Sequence, residues 1–308
     1  MKVPKQLKDL IADGLVDEVL RQLMSGKEAK IFIVRCGAEI RCAKVYKDAS
    51  KRSFKKAVQY REGRHVRNSR RGRAMAKGSK FGRKEQEEIW QHAEADALHL
   101  LAHAGVRVPQ SYGCVDGVMV MELITDAEGG VAPRLNDITM TPEQARKDHA
   151  TVMSQIVRML CAGIVHGDLS EFNVLQEEAG PVIIDLPQAV NAAGNNNARA
   201  MLARDVNNMT AYYGRFAPDL LKSKHAKEIW ALYEAGSLAP DTKLTGRFKE
   251  STKKADVKGV LGEVEFAAKE NQERLRRLRE REQQEKEQHP ERPRKKRNGK
   301  NHRRRNRR

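Results

Sequence analysis

VHGDLSEFNVLQEEAGPVIIDLP, Val165 to Pro187, holds two apolar runs, Val174-Leu175 and Val182-Ile183-Ile184, on either side of a polar turn at Glu177–Gly180. Short apolar runs bounded by turn residues predict two buried strands joined as a hairpin. Asp168 and Asn173 stand before the first run, and Asp185 follows the second directly. A carboxylate beside buried strands is costly unless something pairs with it. A divalent cation carrying a nucleotide would be such a partner, because a hard cation takes carboxylate and amide oxygens.

Upstream of this hairpin the chain reads mostly as strands. Lys5–Ala12 predicts a short helix stopped at Asp13-Gly14, and Val16–Met24 fits either helix or strand. Two β-rich runs, Ala29–Arg35 and Glu39–Tyr46, meet at a Gly37 turn, which predicts another hairpin. Arg61–Lys84, rich in Arg, Gly and Ser, reads as a flexible loop. Helical spacing returns over Glu85–Ala104 and stops at Gly105; VRVPQSYGCVDGVMVMEL then gives strands with a turn at Asp116-Gly117.

Around and after the hairpin, helices dominate. Thr141-Pro142-Glu143-Gln144 opens a helix that runs to Cys161, with proline at its first position. Further helices are expected over Asn197–Tyr213 and Lys224–Ala235. The order predicts an α+β protein with two lobes and a cleft between them: a β-rich N-terminal lobe over 1–124 and a reduced helical lobe over 125–250. Residues 251–288 are a strong helix former with mixed charges, ended by Pro290, and 289–308 form a basic tail expected to be disordered.

The chain of 308 residues is 39% hydrophobic and 32% charged, enough for one sizeable core plus tails. No run approaches the roughly eighteen apolar residues of a membrane span. MKVPKQLKDL lacks a secretory apolar segment, and Cys36, Cys42, Cys114 and Cys161 fit no zinc spacing. Reduced thiols and a cytoplasmic location are the expectation. The net charge of +18 is concentrated: Arg61–Lys84 has ten Lys/Arg against one acid, and His289–Arg308 has eleven against one. The remainder is near neutral. Neither basic segment has an amphipathic apolar face, so the charge points to an anionic macromolecular partner, RNA more readily than a membrane.

Transfer of phosphate from ATP needs metal on the phosphates, a cation near them and a carboxylate to orient the attacking oxygen. HxDxxxxN followed by apolar-apolar-Asp supplies these parts. Asp168 is the candidate proton acceptor, and Asn173 with Asp185 the candidate metal ligands. Lys44, mid-strand in CAKVYK, is the candidate cation, with Glu94 its ion-pair partner in competition with Glu87 and Glu88. Ser25, Gly26 and Lys27 in SGKEA form a candidate phosphate loop, although the spacing is neither GxGxxG nor GxxxxGK[ST]. His166 reads as a structural loop residue, Arg204 and Asp205 as supports of that loop. Trp90, Tyr212, Tyr213 and Trp230 read as packing residues.

SGKEAKIF, CAKVYK, VPQSYG, HGDLSEFNVL, IIDLPQAV and LARDVNNM, in that order, resemble the RIO-type atypical serine/threonine protein kinases, as a prokaryotic member, over about Leu10 to Phe248. The resemblance implies a two-lobed protein-kinase-like fold, ATP with Mg²⁺ or Mn²⁺, and serine kinase or ATPase activity linked to ribosome maturation. It further implies Asp185 as a possible aspartyl-phosphate site, with Glu122 and Ile124 on the hinge that meets adenine. Gly167 stands where typical kinases carry the Arg that pairs with an activation-loop phosphate. Pro187 replaces the glycine of the usual Asp-Phe-Gly, which restricts a flip of that segment. Only about sixty-five residues lie between Asp185 and the charged extension, little room for a peptide-binding subdomain. Ser69 and Ser79 are candidate autophosphorylation sites, and the protein substrate is unknown. Two other readings are a small-molecule kinase of the aminoglycoside or choline type, which shares HGDxxxxN, and an RNA-binding assembly factor that uses ATP only as a switch.

Overall fold

A computed structural model describes residues 3–26, 28–47 and 93–249, of which residues up to Phe248 form one compact unit. The basic loop 61–84 with Ser69 and Ser79, Lys27, Trp90, the extension 251–288 and the tail 289–308 lie outside the described residues.

Helix α1, Lys5–Ala12, ends where expected, at Asp13 followed by Gly14 with φ of 71°. The ambiguous segment after it is a strand, β1, Glu18–Ser25. Its side chains are mostly exposed, so burial did not impose a clear period on the sequence. β2, Ala29–Cys36, and β3, Glu39–Tyr46, form the expected hairpin in continuous antiparallel register from Ala29↔Tyr46 to Cys36↔Glu39. β4, Ser111–Val115, and β5, Val118–Glu122, turn through Asp116 and Gly117 at φ of 47° and 76°. Two successive positive φ values match the right-handed twist of the flanking strands, which is why Asp-Gly occupies this turn. The five strands make one sheet ordered β1-β2-β3-β5-β4.

Strand alternation decides which side chains meet the site. Ala43 and Val45 of β3 face a cluster with Leu7 and Leu10 of α1, Phe32, Val34 and Val118. Lys44 and Tyr46 therefore face the opposite side. There lies helix α2, described over residues 93–103, whose Leu98 and Leu101 belong to the main core.

The main core continues into the helical part. Helix α3, Pro142–Cys161, starts at Thr141, whose hydroxyl accepts from the Gln144 N–H at 3.2 Å. Such a cap satisfies one of the free amides of the first turn. α4, Ala198–Gly214, and α5, His225–Glu234, pack against it. Two short strand pairs frame the loop between them. β6, Ile164–Val165, pairs with β9, Val190–Asn191; β7, Val174–Glu177, pairs with β8, Gly180–Ile183. Only residues 192–197 separate β9 from α4, so the segment after Asp185 is as short as the sequence suggests. Tyr212 and Tyr213 are buried at an edge-to-face angle, as packing residues.

Candidate active site

β3 carries Lys44 into the interior, where its Nζ donates to Glu94 Oε1 at 2.6 Å and to Asp185 Oδ1 at 2.8 Å. Glu94, on α2, is 2% exposed, and its second oxygen accepts from the Tyr46 hydroxyl at 2.6 Å. Burial by itself would strip the charge from Lys44, but Asp185 and Glu94 outweigh it and hold its pKa above the ordinary value. Burial likewise pushes Asp185 up, yet Lys44 holds the carboxyl below its usual range. Tyr46 is pushed up, by burial first and then by Glu94, and so remains a neutral donor.

Asp185 has φ of 66°, a left-handed conformation that a short polar side chain tolerates better than most. The turn aims its carboxylate back toward Lys44 while Leu186 enters the core at 1% exposure. Its side chain is 46% exposed, so one face remains open to a ligand. Ala189 N–H then donates to Leu186 O at 3.0 Å, which closes a tight turn around Pro187.

Asp168 lies exposed on the loop between β6 and β7, and Asn173 precedes β7. The Asn173 amide nitrogen donates to Asp168 O at 3.0 Å, and Ile184 N–H donates to Asn173 O at 3.0 Å. The first contact uses the NH₂ and leaves the amide oxygen as the acceptor of that side chain. A carboxylate and an amide oxygen, brought by the two ends of one hairpin, fit a small hard cation that takes its other ligands from water and phosphate. Among the described residues no group of three or more His, Cys, Asp or Glu forms an all-protein metal cage.

The loop holding Asp168 is pinned from beneath by α4. Asp205 accepts from the Gly167 N–H at 2.7 Å and the Leu169 N–H at 3.0 Å; Asn208 donates to Leu169 O at 3.0 Å, and Arg204 donates to Gly167 O. Gly167 has φ of 84°, open to glycine at little cost. His166 Nε2 lies 3.0 Å from Ile184 O, which ties the loop to the strand that delivers Asp185. These roles match the structural reading of His166, Arg204 and Asp205. Burial raises the pKa of Asp205, only partly offset by His166 and the two amides.

At the end of β5 the Glu122 carboxylate is occupied: both oxygens accept from Arg107 at 2.8 Å, and one from the Gln110 N–H at 3.0 Å. Arg107 also binds Glu177 of β7 through two bonds of 2.7 and 2.8 Å. Burial disfavours the Glu122 carboxylate, but Arg107 and the Gln110 amide keep its pKa low. The Glu122 N–H is likewise occupied, donating to Gln110 O at 2.8 Å, and Ile124 O accepts from the Ala132 N–H at 3.0 Å. Ile124 is 3% exposed and forms a small buried apolar cluster with Ala132, Val182 and the partly buried Leu175. Ser25 and Gly26 sit at the end of β1, with the Gly26 N–H donating to Ala29 O at 2.9 Å and Gly26 O accepting from Lys47.

The Arg107–Glu122–Glu177 bridge and the position of Arg134 escape the sequence reading. A charged residue ending the apolar run VMVME was the one available signal for the first.

The RIO domain model matches residues 30–227. A protein of Haloferax volcanii named RIO-type serine/threonine-protein kinase Rio1 is 29% identical over 211 residues, covering 68% of this chain and 68% of that one. The Methanocaldococcus jannaschii protein of the same name is 29% identical over 238 residues, covering 74% and 76%. The Schizosaccharomyces pombe serine/threonine-protein kinase rio1 is 29% identical over 216 residues, 68% of this chain but 41% of that protein. With the motif residues gathered around Lys44 and the family model spanning most of the compact unit, this chain belongs to the RIO domain family.

Proposed function

We propose that this protein transfers the γ-phosphoryl group of ATP, with Mg²⁺ or Mn²⁺, to a serine hydroxyl on a protein or on itself, and to water. The observation that carries the reading is the convergence of Lys44, Glu94 and Asp185 beside the Asp168–Asn173 loop. The relatives' names as serine/threonine-protein kinases support it.

Asp168 orients the acceptor hydroxyl and takes its proton as the oxygen bonds to phosphorus and the bond to ADP breaks. Asn173 and Asp185 would hold the metal ion, which supplies charge neutralisation at the phosphates. Lys44, its orientation set by Glu94, faces the phosphate chain. Adenine would lie against Glu122 and Ile124, where the Ile124 side chain supplies an apolar wall, and Ser25, Gly26 and Lys27 would cover the phosphates. Asp185 is in addition a nucleophile for an aspartyl-phosphate during hydrolysis. The lobes divide at about residue 124, and a cytoplasmic setting fits the four free thiols. No helix among the described residues is long and apolar enough to cross a membrane.

A second reading, as an RNA- or ribosome-binding factor with ATP as switch, is favoured by the two basic segments, 61–84 and 289–308. If roughly six tail cations meet single-stranded RNA phosphates, log K should fall against log salt with a slope of about −4. A flat salt profile, or no change on deleting 289–308, would remove it.

The deciding experiment incubates the full chain with γ-labelled ATP and Mg²⁺, with Asp185→Asn as control. Acid-stable label on serine makes it a protein kinase. Rapid phosphate release with a hydroxylamine-sensitive label lost in the variant makes it an ATPase. Absence of both refutes the reading, and fast phosphorylation of an aminoglycoside or choline would replace it.

A further inference from the structure

Arg134 is the half-buried cation of this region that the machinery above leaves without an anion. Its main chain is anchored: Arg134 bridges Leu175 of β7, Gln176 N–H donates to Pro133 O at 2.9 Å, and Asp137 N–H donates to Arg134 O at 2.9 Å. The side chain rises from this base to β1, where Nη2 lies 3.1 Å from Met24 Sδ. Among the described residues no carboxylate oxygen comes within 4.0 Å of this guanidinium. A thioether is a weak acceptor, and a guanidinium has five N–H donors. The fork is thus poised but largely unspent.

Its location gives the missing partner a chemistry. Leu175, which it pairs with, belongs to the apolar cluster with Ile124 and Ala132. Met24 immediately precedes Ser25-Gly26 at the end of β1. The guanidinium therefore stands between β7, beside the Ile124–Ala132–Val182 cluster, and the end of β1 next to Ser25 and Gly26. Charge balance points the same way. Lys44 is matched by two carboxylates, Glu94 and Asp185, and Asp168 adds a third nearby. Lys44 is thus spent on the protein's own carboxylates, and beside Lys27 and the metal ion a polyphosphate can still take another cation.

We propose that Arg134 is a phosphate-binding residue: when a nucleoside di- or triphosphate enters, its guanidinium leaves Met24 Sδ and donates to the phosphate oxygens. A planar fork suits two phosphate oxygens at once, and charge-assisted bonds of this kind are the strong ones. The exchange replaces a thioether contact, one of the weakest available to a guanidinium, with an ionic one. The inference rests on the reading of this site as a nucleotide site.

The test compares adenosine, ADP and ATP, each with Mg²⁺, by titrating the melting-temperature shift of the full chain up to millimolar ligand. Wild type, Arg134→Gln and Arg134→Lys are measured side by side. The expected result is a loss of about 10- to 100-fold in ATP affinity for Arg134→Gln, a smaller loss for ADP, and adenosine affinity unchanged, with Arg134→Lys intermediate. Retained adenosine binding shows that the glutamine variant keeps the folded pocket. Equal losses for adenosine and ATP, or no loss for either, overturn the role of Arg134 while leaving the nucleotide reading intact. A wild-type chain that responds to none of the three ligands overturns both.

Discussion

The Lys44 ammonium and the Asp185 carboxylate, 141 positions apart in sequence, lie 2.8 Å apart in the fold. One comes from the middle of the five-stranded sheet and the other from the turn after β8, so this contact joins the sheet to the helical part. Glu94 completes the arrangement from α2 at 2.6 Å. The three elements are held in register by one buried cation.

Removing that cation has a calculable signature. Lys44→Met leaves Glu94, 2% exposed, as a buried carboxylate with only the Tyr46 hydroxyl. Breaking a buried pair from one side costs about 3–5 kcal/mol. Urea unfolding should show that loss for Lys44→Met, and most of it should return in Lys44→Met/Glu94→Gln. Phosphate release should stay abolished in both. A double variant as unstable as the single one would show that the buried charge is not the cause.

Asp168→Asn should separate binding from chemistry. Asp168 is exposed on its loop, so the change disturbs little packing. Turnover should drop about 10²–10⁴-fold, the range for a lost general base, with ATP affinity nearly unchanged. Turnover equal to wild type would remove Asp168 from the mechanism.

Asp205→Asn tests the support beneath that loop. The carboxylate accepts from Gly167 and Leu169 amides, whereas an asparagine accepts from one and turns its NH₂ toward the other. One unsatisfied buried amide costs about 1–3 kcal/mol. The expected outcome is that loss in unfolding free energy and a lowered kcat, with ATP affinity within a few-fold. A variant with full kcat would mean the loop keeps its shape without Asp205.

Acid sensitivity should originate in the helical part. His149 of α3 is 2% exposed, 3.1 Å from the Thr210 hydroxyl, edge-to-face with Tyr213 and tilted against the His225 ring. Burial first, and His225 second, depress its pKa from 6.5 to about 4. The unfolded chain takes up the proton near 6.5, so the stability is full above that pH and is lost as pH falls toward 4. The loss amounts to at most about 3 kcal/mol. Urea unfolding from pH 7 to 4 should show this slope, and His149→Gln should flatten it; an unchanged slope would place the sensitivity elsewhere.

Much of the site is legible in the sequence. The turn residues and short apolar runs of 165–187 predict the hairpin, and the structure has it as β7 and β8. Alternation along CAKVYK places Lys44 opposite Ala43 and Val45, away from the α1 cluster. Thr141-Pro142 marks the start of α3, and Asp116-Gly117 the β4–β5 turn. β1 stayed ambiguous because its mostly exposed side chains carry no burial period.

Local pattern thus determined the elements, the face each residue occupies and the order of the chemical groups, because periodicity and turn chemistry act over a few neighbouring residues. Only the tertiary structure decided the partners. Glu94 meets Lys44 from 50 positions away, Arg107 joins Glu122 to Glu177, and Arg134 reaches Met24 across 110 positions. These pairings depend on how the sheet and helices stack and on where long side chains extend, and no spacing along the chain encodes either.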